Sequence, residues 1–201
     1  MRRTVQALFL AASTLLGGCA GNKAFVSTQY VAAGRVAVLP IANETTDLDG
    51  PAYVRQLIVD GLRARGFNVS DPAEVEKIMK DNGFTDGGQL NAAKPEDMGK
   101  WLSADTLFYN TLVYFSEINI GFYWQRKVTV AGKLVDAKTG EKLWEDEKTW
   151  MTLNVVTDRE KAKQEFAAQM AVKAIEKIAH APLQPESRIA VKRLLDTLPH
   201  R

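Results

Sequence analysis

Thiols and imidazoles are scarce in this chain: there is one cysteine, Cys19, and two histidines, His180 and His200, in 201 residues. A single cysteine cannot close an intrachain disulfide or build a cysteine-rich zinc site, so the fold rests on its core. Charge of one sign is lacking too. The formal net charge is +2, and no basic run offers the electrostatic footprint of a nucleic-acid binder. No serine stands in a nucleophile elbow and no glycine pattern cradles a phosphate. His180 falls in the last turn of a predicted helix, where an imidazolium suits the helix dipole, and His200 adjoins the C-terminus; both read as structural or surface residues. Internal repeats and low-complexity tracts are absent. The chain reads as a non-enzymatic protein that needs no metal and no dissociable cofactor.

A long hydrophobic run is also missing. The apolar stretch from Ala7 to Leu16 is short of the roughly 20 residues that cross a bilayer. It follows Arg2 and Arg3 and ends in Leu16-Gly17-Gly18-Cys19. A basic start, a short apolar region and small residues before a cut form a secretory signal. The alternatives are a buried N-terminal helix and a twin-arginine signal; Thr4-Val5-Gln6 fits the second poorly, which favours the general secretion route. Leu16, Gly17, Gly18 and Cys19 resemble the lipobox of bacterial lipoproteins. That resemblance implies cleavage before Cys19, a diacylglycerol (with chains such as palmitate) on its thiol and an N-acyl chain on its new amine. Loss of residues 1–18 would remove Arg2 and Arg3 and bring the net charge from +2 to zero. With each acyl methylene worth about 0.8 kcal/mol, attachment would need no charge. Ala20, in place of the aspartate that retains enteric lipoproteins in the inner membrane, points to the outer membrane, facing the periplasm.

Residues 19–33 read as a lipidated tether and 34–201 as one domain, a size that supports one core. Arg35 to Ile41 is apolar on both faces, β-branched and stopped by Pro40, as in a buried strand. A loop from Asn43 to Asp49 precedes a helix that Pro51 opens, with Tyr53, Leu57, Ile58 and Leu62 at helical spacing and Gly66 at its end. Phe67 to Val69 is a short strand. Asp71 caps a helix carrying Val75, Ile78 and Met79. The Gly87-Gly88 segment reads as a loop, and Pro95 opens a helix with Met98, Trp101 and Leu102. Three β segments follow: Thr106 to Glu117, Arg126 to Val135 and Lys142 to Leu153, the last two joined by a turn through Asp136-Ala137-Lys138-Thr139-Gly140. Asp158 caps an amphipathic helix bearing Phe166, Met170, Ile175 and Ile178. Pro182 and Pro185 break the chain before a basic helix from Ser187 to Leu198. The predicted class is α/β (α+β): a mixed sheet with a parallel β-α-β start, an antiparallel meander, and helices packed on the sheet.

Two segments carry local interest. Glu145-Asp146-Glu147 is acidic, but neighbours on a strand point to opposite faces and the EF-hand spacing is absent, so a solvated strand edge is expected. Ile118 to Trp124 joins two strands with more aromatic bulk than a hairpin tip needs. Either the strands are longer and cover the core, or Phe122, Tyr123 and Trp124 protrude as a partner-contact patch.

Val36-Ala37-Val38-Leu39-Pro40 with Asn43-Glu44-Thr45 resembles the first strand and loop of the DUF799 family of bacterial periplasmic lipoproteins. Leu62 to Val69, Ile78 to Gly83, Ser103-Ala104-Asp105 and Lys133 to Trp144 extend the resemblance. The same segments occur more loosely in the curli-secretion lipoprotein CsgG, the penicillin-binding-protein activator LpoB and the N-terminal domain of TolB. The resemblance implies a shared fold and an envelope role through protein contacts. The expected function is an accessory or assembly factor for an envelope or CsgG-like secretion complex. The strand segments read as too short and mixed for a CsgG-type pore, and no proline-rich stalk resembles that of LpoB. Alternatives are an LpoB-like regulator of a peptidoglycan synthase, which would need a longer tether, and a periplasmic ligand carrier, which would need a cleft of converging polar groups.

Overall fold

A computed structural model describes residues 24–28, 30, 34–120, 123–178 and 182–199. The strands are β1 (Phe25–Val26), β2 (Arg35–Val38), β3 (Ala42–Asn43), β4 (Asn68–Val69), β5 (Thr106–Asn119), β6 (Tyr123–Asp136) and β7 (Lys142–Val155). The helices are α1 (Gly50–Ala64), α2 (Pro72–Asp81), α3 (Pro95–Leu102), α4 (Arg159–Ile178) and α5 (Gln184–Leu195), with a 3-10 helix at Gly87–Ala92.

One sheet runs in the order β1-β7-β6-β5-β2-β4, with β3 added to β5. Strands β2, β3, β4 and β5 pair in parallel, whereas β5, β6, β7 and β1 pair antiparallel. This is the mixed sheet read from the sequence. Its parallel part is buried on both sides, as parallel sheets generally are. Val36 and Val38 join a core with Val54, Ile58 and Leu62 of α1 and Val191, Leu194 and Leu195 of α5. Ala37 and Leu39 face the other way, toward Val75 and Met79 of α2, Leu90, and Met98 and Leu102 of α3.

Local chemistry accounts for the element ends. Asp71 accepts from the Ala73 and Glu74 amides at 2.9 and 3.1 Å, capping α2. At α1 the cap comes from Asp47, which accepts from Gly50 N at 2.6 Å. Gly66, at φ +83°, ends α1 in the left-handed region that only glycine enters freely. Asp158 accepts from the Glu160 and Lys161 amides and starts α4.

Several sequence expectations are corrected. Within the stretch read as 19–33 tether, Phe25 and Val26 form a strand that pairs with Glu145 and Trp144 at the sheet edge, and Lys142 Nζ lies 4.7 Å from the Phe25 ring. The segment at Gly87 is helical, not a loop: Asp86 and Gln89 form a reciprocal capping box. A Cβ on Gly87 would lie 2.2 Å from Ala42 N, so only glycine allows this turn to approach β3. Pro185 does not break the chain but sits in the first turn of α5, where no amide is needed. The helix that looked basic buries Ala190, Val191, Leu194 and Leu195. On α1 Ile58 and Leu62 are buried as expected, joined by Val54 and Val59, while Tyr53 and Leu57 are half-buried. Finally, β5, β6 and β7 are each 14 residues long, longer than their sequence patterns suggested. Their far ends outrun the helices of the parallel half.

Candidate functional site

The far half of the meander departs most from ordinary packing. Side chains alternate across a strand, so the β6–β7 register sorts them into two faces. One face holds Val128, Arg126 and Trp124 with Trp150, Thr152 and Asn154; the other holds Thr129, Lys127, Gln125 and Tyr123 with Thr149, Met151, Leu153 and Val155. A bulge on β5 between Leu112 and Tyr114 inserts one residue. Phe108, Leu112 and Phe115 therefore share the first face, while Tyr114 and Ile118 turn to the second.

The first face is covered through charge. Arg126 is 3 % exposed and sits between two buried carboxylates, Glu176 at 6 % and Glu186 at 2 %. It pairs with Glu176 of α4 and, through Nε at 3.4 Å, with Glu186 of α5. Thr152 donates to Glu186 at 2.8 Å, and Glu176 also accepts from Gln184 N. A buried cation flanked by two carboxylates must keep its partners, because each alone would be an unpaired buried charge. Nothing in the local sequence marks the trio, since Arg126 and Glu176 stand 50 residues apart.

Helix α4 is mounted inside out. Its contacts to the meander are polar: Gln169 accepts from Asn119 at 2.8 Å, Lys173 reaches Glu117 at 3.4 Å, and Glu176 meets Arg126. At 3.6 residues per turn, Ala167, Ala171, Ala174 and Ile178 lie on the opposite side. All four are exposed, as are Phe166, Met170 and Ile175. The amphipathic stripe is real, but it points away from the domain.

Among the described residues the second face is bare. Tyr114, Ile118, Met151, Leu153 and Val155 are 37, 39, 46, 50 and 54 % exposed. Of the expected aromatic contacts, Tyr123 and Trp124 belong to β6 and are half-buried. The Tyr123 hydroxyl bonds Gln125 at 2.7 Å, and Tyr123 borders the bare face. Trp124 lies on the opposite face with the Arg126 guanidinium 5.6 Å above its ring. The exposed apolar side chains of this face stand on β5 and β7. Phe122 lies outside the described residues, as do Leu16, Gly17, Gly18, Cys19, His180 and His200.

A second feature is an open polar cleft of about 400 Å³ between β3, the 3-10 helix and the middle of the meander, lined by Asn43, Glu44, Asn91, Tyr109, Lys133 and Glu145 among others. Lys133 Nζ sits 4.6 Å from the Tyr109 ring. Burial, with a smaller contribution from Glu96, pushes the Tyr109 phenol up to about 12, so it stays protonated at neutral pH. Asp146, expected on a solvated edge, is instead buried and paired with Lys148 at 2.6 Å, whereas Glu145 and Glu147 are exposed. The zigzag of the strand turns Asp146 inward and its two neighbours outward.

The fold and sequence have relatives. A family model described as "Putative lipoprotein GNA1162-like" matches residues 28–198. "Putative lipoprotein NMB1124/NMB1162" of Neisseria meningitidis serogroup B is 28 % identical over 141 residues, covering 68 % of this chain and 66 % of that protein. The crystal structure of lipoprotein GNA1162 from Neisseria meningitidis superposes with a TM-score of 0.57 at 22 % identity, over 71 % of this chain and 99 % of the other. The PelC dodecamer from Paraburkholderia phytofirmans gives 0.54 at 14 % identity, over 89 % and 96 %. At those identities the two structures speak for the fold. Because the family model matches residues 28–198, from ahead of β2 through α5, the chain belongs to the GNA1162-like family.

Proposed function

We propose that this protein is a lipid-anchored lipoprotein of the outer membrane, facing the periplasm, that acts without catalysis as an accessory or assembly factor for an envelope complex. The observation that carries this reading is the bare apolar face of the far meander. An uncovered patch of that kind on a folded domain marks a contact surface. Membership of a lipoprotein family supports acylation of Cys19 at the Leu16-Gly17-Gly18 lipobox. Only four residues stand between Cys19 and Ala24, a reach of roughly 18 Å from one Cα to the other. So short a tether holds the domain beside its own membrane and argues against a role across the cell wall. That a fold neighbour is a dodecamer supports an assembly in which such surfaces meet.

Crosslinking of intact envelopes followed by recovery of the lipidated protein tests the reading. Defined envelope proteins should be recovered in stoichiometric amounts, and Cys19→Ala should abolish them together with membrane retention. Recovery of bulk porins and lipid alone would remove its support. The polar cleft favours a second reading, a periplasmic carrier. A thermal-shift screen of small polar metabolites should then raise the melting temperature, with the rise lost in Lys133→Ala.

A further inference from the structure

Among the described residues two apolar surfaces stand uncovered, and they lie on opposite sides of one meander. The first is the outward side of α4. Ala167, Ala171, Ala174 and Ile178 follow one another at intervals of four, three and four residues, the spacing of a packing seam. Met170 and Ile175 flank it, and the alanines leave room for close approach. The second is the sheet face carrying Tyr114, Ile118, Met151, Leu153 and Val155. A sheet face of this kind is completed by a helix layer, and α2 and α3 provide that layer over the parallel half only.

The helix cannot cover the bare face of its own molecule. Gln169, Lys173 and Glu176 hold it on the other side of the meander. Dimensions match between copies. The seam from Ala167 to Ile178 runs about 17 Å at 1.5 Å per residue, and the bare stretches Tyr114–Ile118 and Met151–Val155 each run about 14 Å at 3.4 Å per residue.

We infer that the outward face of α4 in one copy packs on the bare β5–β7 face of a second copy of this chain. The contact is heterologous, with unlike surfaces meeting, so one copy keeps its sheet face free and the other its helix face. Such contacts propagate and close into a ring where the rotation permits. The inference rests on the envelope-assembly reading: anchoring every copy to one membrane through Cys19 confines the copies to a plane and favours closure.

The test uses the full-length lipoprotein expressed in cells. Ala171→Cys and Leu153→Cys variants carrying different tags are co-expressed and treated with a short bismaleimide, with the wild-type protein as control. Acylation of Cys19 leaves the introduced cysteine as the reactive thiol. Both substitutions are at exposed positions, and unchanged melting temperatures confirm folding. The expected result is a crosslink between the two tags, no crosslink in either variant alone, and a ladder of multimers when both substitutions share one chain. Adding Ile175→Glu should cut the crosslinked fraction at least tenfold with the fold intact. A crosslink of the Ala171→Cys variant to itself would mean like helix faces pairing and would overturn the inference. No crosslink in any combination would overturn it too. If envelope partners were still recovered in that case, the broader function would stand; if they were lost as well, both would fall.

Discussion

From Val36 to Leu39 the sheet has no exposed side: all four residues are at most 2 % exposed, with α1 and α5 on one face and α2 and α3 on the other. Across the sheet, at the far end of β7, Met151, Leu153 and Val155 are about half exposed, and the helix over the opposite face turns polar residues inward. Burial in the parallel half is apolar. In the far meander it runs through Arg126 and two carboxylates. Apolar packing is non-directional and tolerant, so it holds a fold together without dictating orientation. A buried charge trio allows one arrangement only. Such a clamp suits a helix whose apolar side is kept free for something else.

The comparison breaks most sharply at the clamp. Arg126→Ala leaves Glu176 and Glu186 buried without their cation and should cost about 3–5 kcal/mol, read from urea unfolding. Joint replacement of Arg126, Glu176 and Glu186 by apolar residues of similar volume should recover most of it. In the parallel half, Ile58→Ala removes a fully buried side chain and should cost about 3 kcal/mol while leaving crosslinking between copies unchanged; a change in crosslinking would erase the division between the halves. Gly87→Ala forces a methyl against the β3 backbone and should cost about 2 kcal/mol by the same assay.

A smaller effect concerns Asp136 in the β6–β7 turn. Partial burial raises its pKa, but the Thr139 and Lys138 amides, the Thr139 hydroxyl and the Lys138 charge outweigh this, and the net value lies below the ordinary 3.8. A carboxylate lowered on folding stabilises the fold above its unfolded value and loses that contribution as pH falls through its folded one. Asp136→Ala should therefore lower the melting temperature at pH 7, with the gap closing below about pH 3.8. The smallest effect sharpens the contrast: Leu153→Ser should leave stability within about 0.5 kcal/mol, because the isolated domain gains little from that side chain. A large loss would place Leu153 in a core.

Much of the fold could be read from local signals. The strand stopped by Pro40, the cap at Asp71, the glycine at the end of α1 and the Asp136–Gly140 turn each act within a few residues. The ends of the long strands were less legible. Met151, Leu153 and Val155 alternate with Trp150, Thr152 and Asn154, and an alternation with apolar residues on both faces does not say which one is covered. The bulge at Val113 exchanges the faces of β5 midway, which no uniform period reveals. Arg55 was equally silent in the sequence. It is buried in α1, donating to the Leu39 and Val38 carbonyls at 3.1 and 2.9 Å, with burial lowering its pKa against the pull of Glu76. Its partners lie 16 and 17 residues away, beyond the reach of any helical spacing.

Composition, caps, turns and periodicity by themselves determined the main helices, the three long strands and the apolar stripe on α4, because those depend on interactions between near neighbours. Which way that stripe faces was decided by tertiary structure alone. Its orientation follows from where Arg126 can find two carboxylates, and a stripe of alanines and isoleucine looks the same in sequence whether it meets its own core or another surface.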